Sequence, residues 1–445
     1  MVAWNRGSGL CFAGRGHAGL VAWPRLRSIA GVAIPWHPQR IAKQAAGDDV
    51  VPINEPGASF RTEDSMNPQR LNIGIVGGGI GGVAAAVALH RAGIHATVYE
   101  RATELREVGA GMMLWPNATH VLQELGVLER VAALSGPNQH FLVRSSAGSI
   151  LMDIGLGHFD VPALCTRRSD LLDALISALP AGRVRLGHDF EYLDRQKSSV
   201  GVHFAGHASV EHDFVIGADG IRSRVRSQIL GVHEPIYRGY TVWRGLASLT
   251  GAVPSGSNSE TWGRGRRFGI LSTGGDRFTW YATANTDSDH ADSSEGRRHD
   301  LLRMFAGWHE PVESLIAATD ENAILKNGAY DLAPLKRWGE GRVMLLGDAA
   351  HPCTPNLGLG GCMALEDALV LAKSFCREAT PELALRRYES LRRERTSHVQ
   401  QRSLLMGHIG QWENRLIAAG RQVVTGMLPA KIFERNLRRV YSYAT

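Results

Sequence analysis

The string Gly77-Gly78-Gly79-Ile80-Gly81-Gly82 stands between an apolar run, Ile73 to Val76, and an alanine-rich stretch that reaches Ala92. A strand that feeds a helix through so short a turn needs Gly77 for the turn itself, Gly79 so that a pyrophosphate can approach the backbone, and Gly82 for helix-to-strand packing. Gly81 lies in the same turn, and the start of the helix offers free N–H groups to phosphates. A second strand is predicted from Ala96 to Tyr99, and Glu100 closes it. A carboxylate there, about 20 residues beyond the turn, accepts hydrogen bonds from a ribose diol. This is the opening of a doubly wound α/β sheet that binds a dinucleotide, and by itself it does not choose between NAD and FAD.

With 445 residues, 44% apolar and 21% charged, the chain is expected to form two domains with sizeable cores. After Met66 no run of 18 uncharged apolar residues occurs, so no stable membrane insertion is predicted. Cys11, Cys165, Cys353, Cys362 and Cys376 form no CxxC pair and no zinc spacing with histidine. That points to reduced thiols, a cytoplasmic protein and no metal. The net charge of +6 is not gathered into a basic motif with interleaved aromatics, so nucleic acid is not an expected partner. Arg386, Arg387, Arg392, Arg393 and Arg395 alternate with Glu389 and Glu394 and read as a solvated helix face. Residues 1–65 carry no acidic residue before Asp48 and show no clear periodicity. They read either as a transit peptide or as a leader outside the fold, with Met66 as the start.

Further along, helices are predicted after Pro116 and from Ser169 to Leu179, hairpins between Arg183 and Ile216, and strands from Tyr237 to Tyr281. A buried parallel-type strand returns at Arg342 to Leu346, followed by a helix from Gly361 to Cys376 and mixed-charge helix after Pro381. The chain therefore leaves the first domain and comes back. The expected division is a leader 1–65, a dinucleotide-binding domain 66–235 that resumes at 334–378, a sheet-rich substrate domain 236–333, and C-terminal helices 379–445.

Two later segments choose the cofactor. One is Ile216-Gly217-Ala218-Asp219-Gly220 with Ser223, Arg224 and Arg226. The other is Leu346-Gly347-Asp348-Ala349-Ala350-His351-Pro352 leading into Pro355-Asn356-Leu357-Gly358-Leu359-Gly360-Gly361. Singly, an Asp-Gly at a strand end reads as a turn. In this order behind a glycine turn they resemble the DG and GD motifs of the class A flavoprotein monooxygenases. The resemblance runs from Leu71 to about Gln411, including Gly109-Ala110-Gly111 with Trp115-Pro116-Asn117, and Arg168 opening a helix. The chain resembles urate hydroxylases, zeaxanthin epoxidases and salicylate hydroxylase-like enzymes; Gly360-Gly361-Cys362-Met363-Ala364 before Glu366-Asp367 resembles the first two most, and Phe305-Ala306-Gly307-Trp308 with Pro311 and Val312 resembles the urate enzymes.

The resemblance implies a Rossmann-like FAD-binding domain of the glutathione-reductase type, with an inserted β-sheet substrate domain and C-terminal helices. It implies FAD as cofactor, NADH or NADPH as co-substrate, and O2 delivered through a flavin C4a-hydroperoxide to hydroxylate or epoxidise a small, aromatic substrate. A monomer or homodimer is expected. The cofactor would meet Gly77, Gly79, Gly81, Gly82, Glu100, Arg101, Met113, Arg168, Asp219, Gly220, Asp348, Gly358, Leu359, Gly360, Gly361 and Cys362. Physical chemistry agrees at the second segment. Asp348 after a buried strand suits ribityl hydroxyls, and glycines that open a helix let backbone approach a flat ring with the positive helix end aimed at it. The flavin carries the hard chemistry, so no catalytic side chain is assigned and His351 reads as a satisfied histidine.

For the substrate, Trp243, Arg244, Arg267 and Leu359 are candidates. Arg267 matches a substrate-binding position of the urate hydroxylases, and a pocket arginine would hold an acidic or carbonyl group by bidentate bonds. The other reading is a surface arginine in the run Arg264, Arg266, Arg267. Val242 and Leu359 depart from those enzymes, the first replacing a polar residue and the second a glutamine, which leaves the substrate open. An NAD-dependent dehydrogenase, or a flavin-binding protein without monooxygenase activity, is the alternative function.

Overall fold

In the computed structural model of the protein, residues 71–104, 111–157, 159–251, 253–254, 256–288, 290–430, 434 and 441 are described. The expectations for residues 1–65, and for Gly109 and Ala110, lie outside them. Among the described residues the central element is a six-stranded sheet in the order Gly339–Glu340, Val343–Leu345, Phe214–Gly217, Asn72–Val76, His95–Tyr99, Val184–Arg185. All its pairings are parallel except at the Gly339–Glu340 edge. Ile73, Ile75, Val215, Ile216, Val343 and Leu345 are fully buried, as continuous apolar runs are when helices cover both faces of a parallel sheet. Phe214–Gly217 was expected to close a hairpin. It instead lies parallel beside Asn72–Val76, because its apolar side chains need burial on both faces. Helix α1 (Ile80–Arg91) buries nine of its residues, most of them Ala, Gly or Val. Small side chains let it sit close to helix α2 (Gly360–Arg377).

The second large sheet has seven strands, ordered Leu325–Asp331, Ile236–Ser248, Arg277–Asn285, Arg266–Ser272, Ser257–Trp262, His140–Ser145, Ile150–Gly155. It reaches beyond residues 236–333, because the hairpin at 140–155 adds to its edge through a parallel pairing with Ser257–Trp262. Side chains alternate across each strand. One face carries Trp243, Phe268, Ile270 and Trp280 into a core with Leu301, Phe305, Leu315 and Ile316, from the helical segment around Arg297–Met304 and Val312–Ala317. The opposite face carries Val242 and Arg244, Glu260 and Trp262, Arg267 and Gly269, and Tyr281 and Thr283, which the strand registers set side by side.

Helix α3 (Pro381–Gly410) closes the molecule behind α2. Here the reading of its arginines as solvated is corrected. Arg386 and Arg393 are exposed, but Arg392 is fully buried and Arg395 is partly buried. Arg392 shares the inward stripe of Tyr388, Thr396 and Val399, which follows from the helical period of 3.6 residues. Its Nη1 lies 2.5 Å from Glu366 Oε2 and its Nε 2.6 Å from Asp367 Oδ1, both carboxylates being fully buried on α2. Arg395 and Asn117 also donate to Glu366, and His351 Nε2 stands 2.5 Å from Asp367. His351 is thus a satisfied buried partner. Burial opposes the charge on Asp367, but His351 and Arg392 outweigh it and bring its pKa down to about 2.

Candidate active site

The glycine turn shows which of its residues the protein itself requires. Gly77 has φ of +113°, and a Cβ there would lie 2.4 Å from the Ala218 carbonyl oxygen. At Gly82 a Cβ would lie 2.0 Å from the Gly77 oxygen, and at Gly81 it would press on Leu346 at 2.9 Å. At Gly79 a Cβ would meet no protein atom within 4 Å. Gly79 also precedes α1 without any side-chain cap, so the bare backbone of the helix start faces outward. That is the cradle a pyrophosphate needs. Glu100 stands against it, accepting the Gly78 N–H at 2.6 Å and the Ala102 N–H at 2.9 Å. Arg101, next to it, is exposed.

Asp219 braces the start of the helix Arg224–Leu230, whose cap is Ser223, and accepts from Ser223 Oγ at 2.5 Å and from the Val225 N–H at 3.1 Å. Burial pushes its carboxyl up and these bonds hold the rise back. Gly220, at φ of +81°, completes the turn. The buried Arg226 then joins the two motif segments, donating to the Ala349 oxygen at 2.9 Å and to the Ile221 oxygen at 2.6 Å.

Asp348 is walled by protein yet its side chain is exposed to the cleft, and its carboxylate accepts no hydrogen bond among the described residues. Burial raises its pKa, against the pull of His351 and Arg168. Arg168 opens the helix Arg168–Ile176 and reaches electrostatically both Asp348 and Arg244. Burial lowers the pKa of Arg244, and the like charge of Arg168 lowers it further.

Beyond Asp348 the chain makes a 3-10 turn at Pro355–Leu357 and enters α2 through Gly358, at φ of +61°, and the buried Leu359. Trp115 Nε1 donates to the Leu357 oxygen at 3.1 Å and fixes this loop. A Cβ at Gly361 would fall 2.5 Å from Met112 Cε, and one at Gly360 would meet nothing closer than Cys353 Sγ at 3.7 Å. Cys362, whose thiol burial pushes up to about 12, is 3.6 Å from the Met113 oxygen. Like α1, α2 begins without a side-chain cap.

Across from this loop lies the polar face of the seven-stranded sheet. Arg267 is 3% exposed, so the surface alternative fails. Its Nε donates to Gln411 Oε1 at 3.0 Å, its Nη1 to Glu260 Oε1 at 3.2 Å and its Nη2 to Asn356 Oδ1 at 2.6 Å. Burial opposes its charge, but Glu260 more than compensates and Arg267 stays ionised. Glu260 also accepts from Trp262 Nε1 at 2.5 Å and from the Tyr281 hydroxyl. Burial and then Glu260 hold the Tyr281 phenol well above its ordinary pKa, so it stays protonated. Arg244 shares this face. Trp243 does not: it is a core residue packed with Phe268, Ile270 and Trp280 on the far side, since neighbours in a strand point opposite ways.

The comparisons with known proteins now bear on this arrangement. A family profile for an FAD binding domain matches residues 70–403. Aurachin C monooxygenase/isomerase of Stigmatella aurantiaca is 38% identical over 373 residues, covering 83% of this chain and 97% of that protein. FAD-dependent urate hydroxylase of Klebsiella oxytoca is 35% identical over 72% of this chain and 85% of its own length. Among solved structures, Klebsiella pneumoniae HpxO complexed with FAD and uric acid superposes with a TM-score of 0.80 at 27% identity, over 84% of this chain and 97% of that one. The chain belongs to the class A flavoprotein monooxygenases.

In this flavoprotein the matched family spans the glycine turn and both later segments, which sets the NAD-dependent dehydrogenase aside. Sequence reasoning missed Glu260, Tyr281, Asn356 and Gln411 as site residues. A signal existed for Glu260: in Ser257–Trp262, strict alternation puts an acid on the same face as Asn258 and Trp262. Gln411 carried none, being 144 residues from Arg267 in the chain.

Proposed function

We propose that this monooxygenase uses NADH or NADPH and O2 to hydroxylate a small, neutral and largely apolar aromatic substrate. The substrate would lie between the loop 355–361 and the sheet face of Tyr240, Val242, Arg244, Arg267 and Tyr281. One oxygen atom enters a substrate C–H bond as C–OH and the other leaves as water, with NAD(P)H and a proton supplying the two electrons and two hydrogens. Bound FAD supplies the redox chemistry. The residues present fit it: the turn Gly77–Gly82 and the open start of α1 for the pyrophosphate, Glu100 and Arg101 for the adenosine end, and Asp348 for the ribityl hydroxyls. Met113 and Gly358–Cys362 would meet the ring, with Arg168 close by at Asp348. Asp219 and Gly220 act through position, by shaping the segment that Arg226 ties to Ala349.

The observation that carries the substrate class is the pairing of Arg267 with Glu260. The arginine's charge is matched and its donors face Glu260, Gln411 and Asn356, so Arg267 offers a carboxylate no unmatched cation. Val242 and Leu359 add no hydrogen-bonding edge. Urate, on which the Klebsiella relatives act by name and which is an anion at neutral pH, is expected to be a poor substrate. The test is a set of matched aromatic pairs, neutral and carboxylated, scored for NAD(P)H oxidation, peroxide release and a product one oxygen heavier. A carboxylated member preferred about tenfold, equivalent to roughly 1.4 kcal/mol, would overturn this reading.

The cofactor assignment has its own test. Gly79→Ala is expected to leave the melting temperature of the apoprotein unchanged and to weaken FAD binding at least about tenfold, because the added methyl fills only the pyrophosphate's approach. Gly77→Ala, which strikes the Ala218 carbonyl, should lower both. A Gly79→Ala protein that titrates with FAD like wild type would sink the assignment.

A further inference from the structure

Helix α4 (Arg415–Met427) is packed with its polar side inward. Its buried residues are Ala418, Arg421 and Thr425. Arg421 ties it to the body, donating to the carbonyl oxygens of Ile409 and Gly410 at 2.8 Å and of Gly263 at 2.6 Å. Meanwhile Leu416, Ile417, Val423, Val424 and Met427 are 81%, 50%, 60%, 57% and 78% exposed. Their spacing places them on one stripe roughly 120° wide. A helix of this kind normally turns such a stripe to the core, and here a hydrogen-bonded arginine holds it outside. Trp412, just before α4, is also exposed at 38%.

Charge indicates what covers the stripe. From Gln411 onward the chain has, besides the inward Arg421, the bases Arg415, Lys431, Arg435, Arg438 and Arg439 against only Glu413 and Glu434, and Arg415 at the helix start is exposed. We propose that α4 is a membrane-surface anchor, lying along an anionic lipid interface with its exposed stripe at the acyl boundary. It lies on the bilayer and does not cross it, since no helix among the described residues is long and apolar enough to span. A second copy of the chain suits this face less well. Two 13-residue helices side by side would cover about 200 Å² on each copy, about 400 Å² in total and below the roughly 1,000 Å² total of a stable interface. Like basic segments would also repel, whereas anionic headgroups attract them.

The position has a consequence for the reaction. A cavity of 280 Å³ is walled by Tyr240, Asn356, Gly407, His408, Gln411 and Trp412, at the corner where α3 turns into α4. It ends on Asn356, the partner of Arg267. An apolar substrate could enter there from the lipid side. This step rests on the neutral-substrate reading above, and the anchoring does not.

The test is sedimentation of the full-length, FAD-loaded enzyme with extruded vesicles of phosphatidylcholine alone or mixed with phosphatidylglycerol. Wild type is expected to bind the mixed vesicles, and about tenfold more weakly the neutral ones or the mixed ones in high salt. Leu416→Gln with Val424→Gln, and separately Leu416→Glu with Val424→Glu, should each lower vesicle binding at least about tenfold. Both should keep bound flavin, melting temperature and turnover of a soluble substrate. No binding to either vesicle, or variants that bind like wild type, overturns the proposal. So does a wild-type dimer that becomes monomeric in the glutamine variant, which would assign the stripe to a second copy. Failure of the substrate reading would appear only in the turnover panel and would leave vesicle binding intact.

Discussion

Arg392→Met is expected to destabilise the protein by about 3–5 kcal/mol, because it removes the shared cation from two fully buried carboxylates and leaves them facing each other in low dielectric. Glu366 keeps Arg395 and Asn117, and Asp367 keeps His351, so folding should survive at neutral pH with a melting temperature lower by on the order of 10 °C. The acid side separates this from a plain packing loss. In wild type the folded Asp367 pKa is depressed to about 2, below the roughly 3.9 of an unfolded aspartate. Its contribution to stability is therefore complete above about pH 4 and is lost as pH falls towards 2. Without Arg392 the depression shrinks, and acid unfolding should begin at higher pH than in wild type. Thermal melts of both proteins from neutral pH down to pH 3 check this. An Arg392→Met protein as stable as wild type at every pH would show that the cluster is not what joins α2 to α3. Replacing Arg392, Glu366 and Asp367 together by apolar residues should recover part of the loss, since the penalty lies in the unpaired charges.

Glu260→Gln is expected to reverse the choice of substrate. The amide keeps the shape of the side chain and can still accept from Arg267 or Trp262, but it no longer matches the arginine's charge. Arg267 then becomes an uncompensated buried cation beside Asn356, and the partner that relieves it is an anionic ligand. Carboxylated aromatics should gain at least about tenfold in kcat/KM relative to their neutral counterparts, about 1.4 kcal/mol of differential binding. Neutral substrates should lose coupling, with more peroxide released per NAD(P)H, as the Tyr281 hydroxyl loses its ionic acceptor and the pocket loosens. The measurement is steady-state kinetics with matched pairs on both enzymes, with flavin content equalised. An unchanged ratio between the pairs would mean that Arg267 and Glu260 do not face the substrate.

The glycine turn was legible because its requirements are local. Gly77 is demanded by its φ of +113° and Gly82 by the oxygen of Gly77, and strand, turn, helix and Glu100 follow within thirty residues. The segments at Asp219 and Asp348 were legible as a pattern, although the tie between them, Arg226 to Ala349, shows only in the folded chain. Trp243 and Arg244 were named together from the sequence, although alternation along Ile236–Ser248 puts them on opposite faces without saying which side meets the loop 355–361. That depends on where the helices at 297–317 pack, and they take Trp243 into their core. The charge of Arg267 was visible in the sequence and its state was not, because Asn356 and Gln411 come from distant segments and Glu260, on the neighbouring strand, meets it only through the hairpin register. Arg392 was misplaced for the same reason, since helical phase shows a stripe but not that two carboxylates of another helix wait beneath it. Local backbone geometry and hydrophobic period are written in neighbouring residues, so the sequence by itself determined the dinucleotide turn and most of the elements, and its resemblance to a known family implied the cofactor. Burial of charge depends on which segments dock together, so only the tertiary structure decided that Arg267 is buried with its charge matched by Glu260.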